Sequence, residues 1–458
     1  MRRWRVATSS RGWGPYPPRM EAGTVGVGSS RGAGVRSLAV PLLGAAVMAA
    51  TLAYGLIATA QGIELGTGTP PLLYEWRPRV DPLALLAAAL LAASVVVTPR
   101  LLARDVSPLL FASAALAVGL VLRLTLGAAR GGVDSWWDVY QLPNFESGNE
   151  YLPALPGFEL GTRYFLDTFA EIGTALPVHA VGHPPGLLTL LYLLGIDSAE
   201  GMAALTIGVG ALSVPLTYLL ARELLEERHA RVATLLYLFA PSAVLHGATS
   251  ADALFATLGV LAAAALLARR RVVRILGPPA LALASFFSYA HLAVGAVAAI
   301  VAMRRDGLRQ AVVLSAGCAG ALVVFYGLLH LATGFDPVGA IQSAEIVYRA
   351  GVASGRPYVF WLFGSPVAFL IAAGLPLAWL GLRALGAGHA MAVALFAVIG
   401  LSAALGFTKA ETERIYLFLV PMLCVAAATA LPERRVPAVL GALAVQALAT
   451  ETLFWTVW

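Results

Sequence analysis

Residues 251–274 read ADALFATLGVLAAAALLARRRVVR. An apolar stretch starts beside one carboxylate, Asp252, and stops at Arg269, Arg270, Arg271 and Arg274. Neither the strict alternation of a half-buried strand nor the polar face of a surface helix interrupts it. A spanning helix needs about 20 apolar residues to cross roughly 30 Å of hydrocarbon. The stretch has that form, and its cations stand where a cytoplasmic end is expected.

Similar runs lie on either side. They cover 38–60, 82–98, 107–128, 201–221, 232–248 and 251–268, then 275–288, 289–303, 310–333, 359–382, 389–407, 415–431 and 436–457, about thirteen spans by the length rule. The 458 residues are 59% hydrophobic and 12% charged, with mean hydropathy +0.79. Soluble domains carry about 25% charged residues, so too little polar surface remains to coat a water-soluble globule. An all-α membrane protein is expected over 37–458, behind a disordered basic tail at 1–36.

Placing the N-terminus in the cytoplasm puts arginines in every inner connection: Arg100 and Arg104; Arg222, Arg228 and Arg231; Arg269 to Arg274; Arg304, Arg305 and Arg309; Arg383; Arg434 and Arg435. That is the positive-inside pattern. It assigns most of the net charge of +6 to orientation and speaks against a nucleic-acid partner. A multi-pass protein of the plasma membrane is expected, its working face outside. Cys318 and Cys424 lie within apolar runs and imply no disulfide framework.

Between the third and fourth spans lies a long outer segment, 129–199, rich in acids and aromatics. It is too aromatic for disorder. Its apolar stretch 184–195 gives a helix of only about 18 Å at 1.5 Å per residue, too short to cross. A small, partly helical cap on the membrane is expected.

Chemistry-bearing residues gather on this outer side. Asp134 and Asp138 stand in RGGVDSWWDVY (130–140), directly after a span, and Glu150 follows in NEYLPALP (149–156). Each is a candidate base for an acceptor hydroxyl, or else an acid that caps a turn or solvates the segment. In VHAVGHPPG (178–186) the prolines fix the chain direction and present His183, with His179 nearby. The loop FTKAETERIY (407–416) brings Lys409, Glu411 and Arg414 close to hydrocarbon, where charge is costly and often functional. Lys409 and Arg414 suit a phosphate, and Arg349 and Arg356 in 334–358 are further candidates. His246, Asp252, His291 and His330 mark outer helix ends, where Asp252 could cap its helix. No ligand spacing demands a metal, although a divalent cation could assist.

This arrangement resembles the C-type superfamily of polytopic membrane glycosyltransferases, which includes protein O-mannosyltransferases and lipid A aminoarabinose transferases. The likeness rests on Asp134 and Asp138 in the first large outer segment, on His183-Pro184-Pro185 leading into a short helix, and on Asp252 at an outer helix start. It covers 105–300 best. Here Asp134 and Asp138 are separated by Ser-Trp-Trp, where the family usually has an adjacent pair. The resemblance implies inverting transfer of a sugar from a polyprenyl-phosphate carrier to a glycan, lipid or protein acceptor at the outer face, with an aspartate of that segment as base. Two other readings are a multi-span transporter and a non-catalytic component of a cell-envelope assembly complex.

Overall fold

The computed structural model describes residues 31–102, 106–141, 143, 146–351 and 353–456. The chain is about 80% helical. Its one sheet among the described residues is an antiparallel ribbon of two short strands, Glu75–Trp76 and Phe454–Trp455. Most of the expected tail lies outside the described residues, and its last part is helical, because the first helix runs Arg31–Ala60.

Six helices among the described residues are long and apolar enough to cross a membrane: Leu38–Ala60, Leu83–Leu102, Pro108–Gly127, Ala199–Leu224, Leu308–Thr333 and Glu433–Leu453. Two bent pairs raise the number to eight, short of the thirteen expected. Glu227–Phe239 and Pro241–Thr249 meet at 58°, and Tyr358–Ala373 and Leu375–Gly386 meet at 115°. The causes are local. Pro241 has no amide to donate to the preceding turn, and Gly374 adopts φ 124°, which a side chain would oppose. Asp252–Leu266, Ala390–Leu405 and Leu417–Ala430 are apolar but shorter.

The surface agrees with a multi-pass membrane protein. Leu308–Thr333 buries almost none of its apolar length, with Val323 74% and Leu331 81% exposed. Apolar area on that scale seeks lipid or a partner rather than water. Inside, Val420–Ala428 is buried all round, packed against Glu227–Phe239 and Leu375–Gly386. A helix apolar on every face belongs at the centre of a bundle.

Segment 129–199 is built from short turns and helices. Thr162–Ile172 turns Phe165, Leu166 and Phe169 inward, while Asp167 and Glu171 share its other face. The stretch expected to form a short helix does so over Gly186–Leu194. Gly186 is required there, because a Cβ would run into the Phe286 carbonyl oxygen. Aromatic rings of the segment, Tyr140, Tyr151, Phe158, Phe165 and Phe169, form one core with Phe255, Phe286 and Phe335. Stretch 334–358, read from sequence as a loop, contains the helix Pro337–Ala350, started by Asp336, whose carboxylate accepts the Val338 amide at 2.9 Å.

Candidate functional site

The helix Pro241–Thr249 ends at Ser250, whose extended backbone turns the chain so that Asp252 opens the next helix. Ser250 Oγ caps the turn by accepting the Asp252 amide at 3.1 Å. Asp252 is therefore not the cap that sequence suggested. Its Oδ2 accepts Ser250 Oγ at 2.7 Å and Arg414 Nη1 at 2.6 Å. Both partners are buried, Asp252 3% and Arg414 4% exposed. Arg414 also donates to Glu411 Oε2 at 3.0 Å, and Arg356 donates to Glu411 Oε1 at 2.8 Å. Arg356 further donates to the Lys409 carbonyl at 2.7 Å. Burial alone would push the Glu411 carboxyl up, but Arg414 and Arg356 outweigh it and hold it below its usual range.

The loop that supplies these groups is strained. Ala410 and Glu411 are consecutive non-glycine residues at φ 66° and 60°. Left-handed backbone of this kind costs about 1–3 kcal/mol per residue and persists only where the surroundings impose it. Here the Ser365 carbonyl accepts Thr412 Oγ1 at 2.6 Å and the Tyr348 hydroxyl accepts the Lys409 amide at 2.7 Å.

Segment 129–199 closes over this network with more titratable groups. His179 Nε2 stands 2.7 Å from Glu146 Oε1, and a Glu150 oxygen lies within 4.8 Å of both. Burial disfavours charge on His179, yet Glu150 and Glu146 raise its pKa above the ordinary value. Glu150, 2% exposed, also lies in electrostatic reach of Arg414. His183 packs on Phe255, ring centroids 4.9 Å apart, and burial pushes its pKa down to about 3. It is a neutral hydrogen-bonding group, not a cation. Beneath Phe255, His291 is held between the carbonyls of Ala284 and Phe255 at 2.8 and 2.7 Å. That makes it a framework residue.

The structure thus joins Glu150, His183, Asp252, Glu411, Arg414, Arg356 and the Lys409 backbone. It leaves other candidates apart. Arg349 pairs with Glu345 on the exposed face of Pro337–Ala350. His330 bonds the Phe335 carbonyl. Asp134 and Asp138 are exposed on two short turns, Val133–Trp136 and Asp138–Tyr140. Asp138 faces a different cavity, and burial followed by the nearby Asp134 raises its pKa. Arg414 and Arg356, expected to hold phosphate, already have carboxylate partners.

Sequence reasoning missed Glu146 as a site residue and Arg123 entirely. Arg123 sits buried within Pro108–Gly127, donating to Ser213 Oγ at 3.1 Å. A charged residue inside an apolar run was the available signal. Glu146 had none, since its distance to His179 is set by the fold. Glu146, Glu150 and His179 have donors suited to a divalent cation; the same trio serves equally as a carboxylate base tuned by an imidazole.

Beside the ion pairs, several buried polar atoms have no hydrogen-bond partner among the described residues: both His246 ring nitrogens, the Tyr74 hydroxyl, Glu413 Oε2 and Arg356 Nε. Buried polar groups are almost always satisfied, so these mark places for water or for a polar ligand. No family model, no curated protein and no solved structure matches this chain.

Proposed function

We propose that this protein is an integral membrane glycosyltransferase that moves a sugar from a lipid-phosphate carrier to an acceptor hydroxyl at the outer face of the plasma membrane. One observation carries the reading. Segment 129–199, the Asp252 helix start and the 408–414 loop bring carboxylates, imidazoles and guanidinium groups into one buried cluster, although its members run from Glu146 to Arg414 in the sequence.

The assignment of roles follows from the contacts. Glu150 is the base: it takes the acceptor proton as the acceptor oxygen attacks the anomeric carbon, and the bond from that carbon to the carrier phosphate breaks. The phosphate leaves on its lipid, met by the remaining Arg356 Nε donor and the Lys409 ammonium, which has no ion pair among the described residues. Asp252 and Glu411 keep Arg414 and Arg356 in position. Of the three candidate bases in the sequence, Asp134, Asp138 and Glu150, this reading favours Glu150, the buried one.

The test is sugar transfer in membranes containing the protein, using a panel of radiolabelled polyprenyl-phosphate sugars. Glu150→Gln should reduce transfer by about 10²- to 10⁴-fold, the range of general-base catalysis, with expression intact. Asp138→Asn should change it less than about tenfold. The reverse ranking returns the base to Asp138. A second reading, a transporter, is favoured by the two bent helix pairs, since broken helices often surround a substrate path. Absence of transfer from every donor, together with solute uptake in proteoliposomes, would establish that alternative; absence of both would favour a non-catalytic component.

A further inference from the structure

A second charged place lies outside the buried cluster. A cavity of about 290 Å³ is walled by Arg77, Arg79 and Arg130, with Ser135, Asp138, Thr249, Glu451 and Trp455 completing it. Four parts of the chain build it: the stretch before the second candidate span, the start of segment 129–199, the end of Pro241–Thr249, and the end of Val436–Leu453 with the strand that follows.

Arg130 is fixed. It donates to the Phe454 carbonyl at 2.7 Å and the Arg77 carbonyl at 2.6 Å, tying the ribbon strands to the segment. Its pKa is lowered by burial, and the neighbouring cations Arg77 and Arg79 lower it further while Glu451 opposes them. Arg77 lies over the Trp455 ring, 5.5 Å from its centroid. Arg79 makes no ion pair or side-chain hydrogen bond among the described residues. Arg77 and Arg79 are thus exposed guanidinium groups without an ion pair among the described residues, set beside a third whose own hydrogen bonds lock it in place. Asp138, on the same wall, lies in electrostatic reach of Arg79, so the three cations outnumber the two carboxylates of the lining, Asp138 and Glu451.

Like charges brought together repel unless an anion lies between them, and guanidinium forks match phosphate oxygens bidentately. Gly131 leaves room for the Ser135 hydroxyl, since a Cβ there would stand 2.5 Å from Ser135 Oγ. Ser135 adds a hydroxyl able to donate to a phosphate oxygen, whereas the Thr249 hydroxyl already donates to the Leu245 carbonyl at 3.3 Å.

We propose that this cavity binds a phosphate group, carried by a lipid or free in solution. It does not depend on the sugar-transfer reading. It does adjoin the buried cluster, since Val139 and Thr249 line the cavity while Tyr140 and Ser250, the next residues, belong to the cluster side.

Binding can be measured without turnover on the purified full-length protein in detergent, by calorimetric titration with inorganic phosphate and, separately, with dioctanoyl phosphatidate. Saturable binding of either probe is expected, weakened at least tenfold by Arg79→Ala and by Arg77→Ala. The Arg79 side chain bonds nothing, so its loss leaves no buried group without a partner and the variant should fold. Arg271→Ala, an exposed cation outside the cavity, should leave binding unchanged. Preference for phosphatidate identifies a lipid source, and preference for inorganic phosphate a soluble one. No saturable binding of either probe, or equal binding by wild type and Arg79→Ala, overturns the proposal.

Discussion

Glu413 accepts the Leu73 amide at 2.7 Å through one carboxylate oxygen, while the other is buried without a partner. Burial pushes its pKa up to about 7, far above the 4.5 of an ordinary glutamate. The folded state therefore holds this proton more tightly than the unfolded chain, so its contribution is full below pH 4.5 and is lost as pH rises to about 7. The neighbours titrate too. Glu411, held low, contributes in the opposite sense below its ordinary range, and His179, held high, loses its contribution as pH rises above its ordinary 6.5. The informative quantity is the difference between wild type and Glu413→Gln. Thermal midpoints in detergent should fall more steeply from pH 5 to pH 7.5 for wild type than for Glu413→Gln. Parallel curves would mean that Glu413 is ionised, or exposed, throughout. At this scale the sequence revealed type but not place. Glu413 was visible as a charge beside hydrocarbon, whereas its neighbour Tyr74 was invisible because their proximity comes from the fold, which sets the non-helical stretch before Glu75–Trp76 against the short helix Thr412–Ile415.

Helix breaks belong to the next scale. Stretch 359–382 was read as one span because apolar composition does not register a turn. Gly374, with Pro376 behind it, divides it at 115°. Gly374→Ala places a Cβ against Leu443 Cδ2 and forces φ 124° on a residue that resists it. A loss of about 1–3 kcal/mol is expected from the backbone strain alone, read as a lower unfolding midpoint; an unchanged midpoint would mean that the two helices straighten into one. By the same logic the boundaries of Leu83–Leu102 and Pro108–Gly127 were readable to within a few residues, since Ser107 and Pro108 announce a helix start. Helix Pro337–Ala350 was missed because its polar residues interrupt the apolar pattern that the span search follows.

For the whole molecule, the arginine pattern makes a claim about sidedness. Tyr164 is exposed on segment 129–199, and Arg271 is exposed on the short helix Arg271–Ile275. The two native cysteines are buried. In intact cells a membrane-impermeant thiol reagent should label Tyr164→Cys and not Arg271→Cys, with both labelled after lysis. Labelling of Arg271→Cys alone would invert the topology and with it the face on which the cluster works. Helical class and membrane character were legible because they follow from composition summed over hundreds of residues. The assembly of the cluster was not, since it depends on where bent helices return the chain.

The ribbon of Glu75–Trp76 with Phe454–Trp455 has a consequence for biosynthesis. Its first strand leaves the ribosome long before the second and must wait, unpaired, while the helices between them are made and inserted. The arginine cavity shares that timetable, because Glu451 and Trp455 are made long after Arg77 and Arg79. A nascent chain that has not reached Phe454 would already expose Arg77 and Arg79 yet lack the opposite wall, so the proposed phosphate site would be completed only once the second strand has been made.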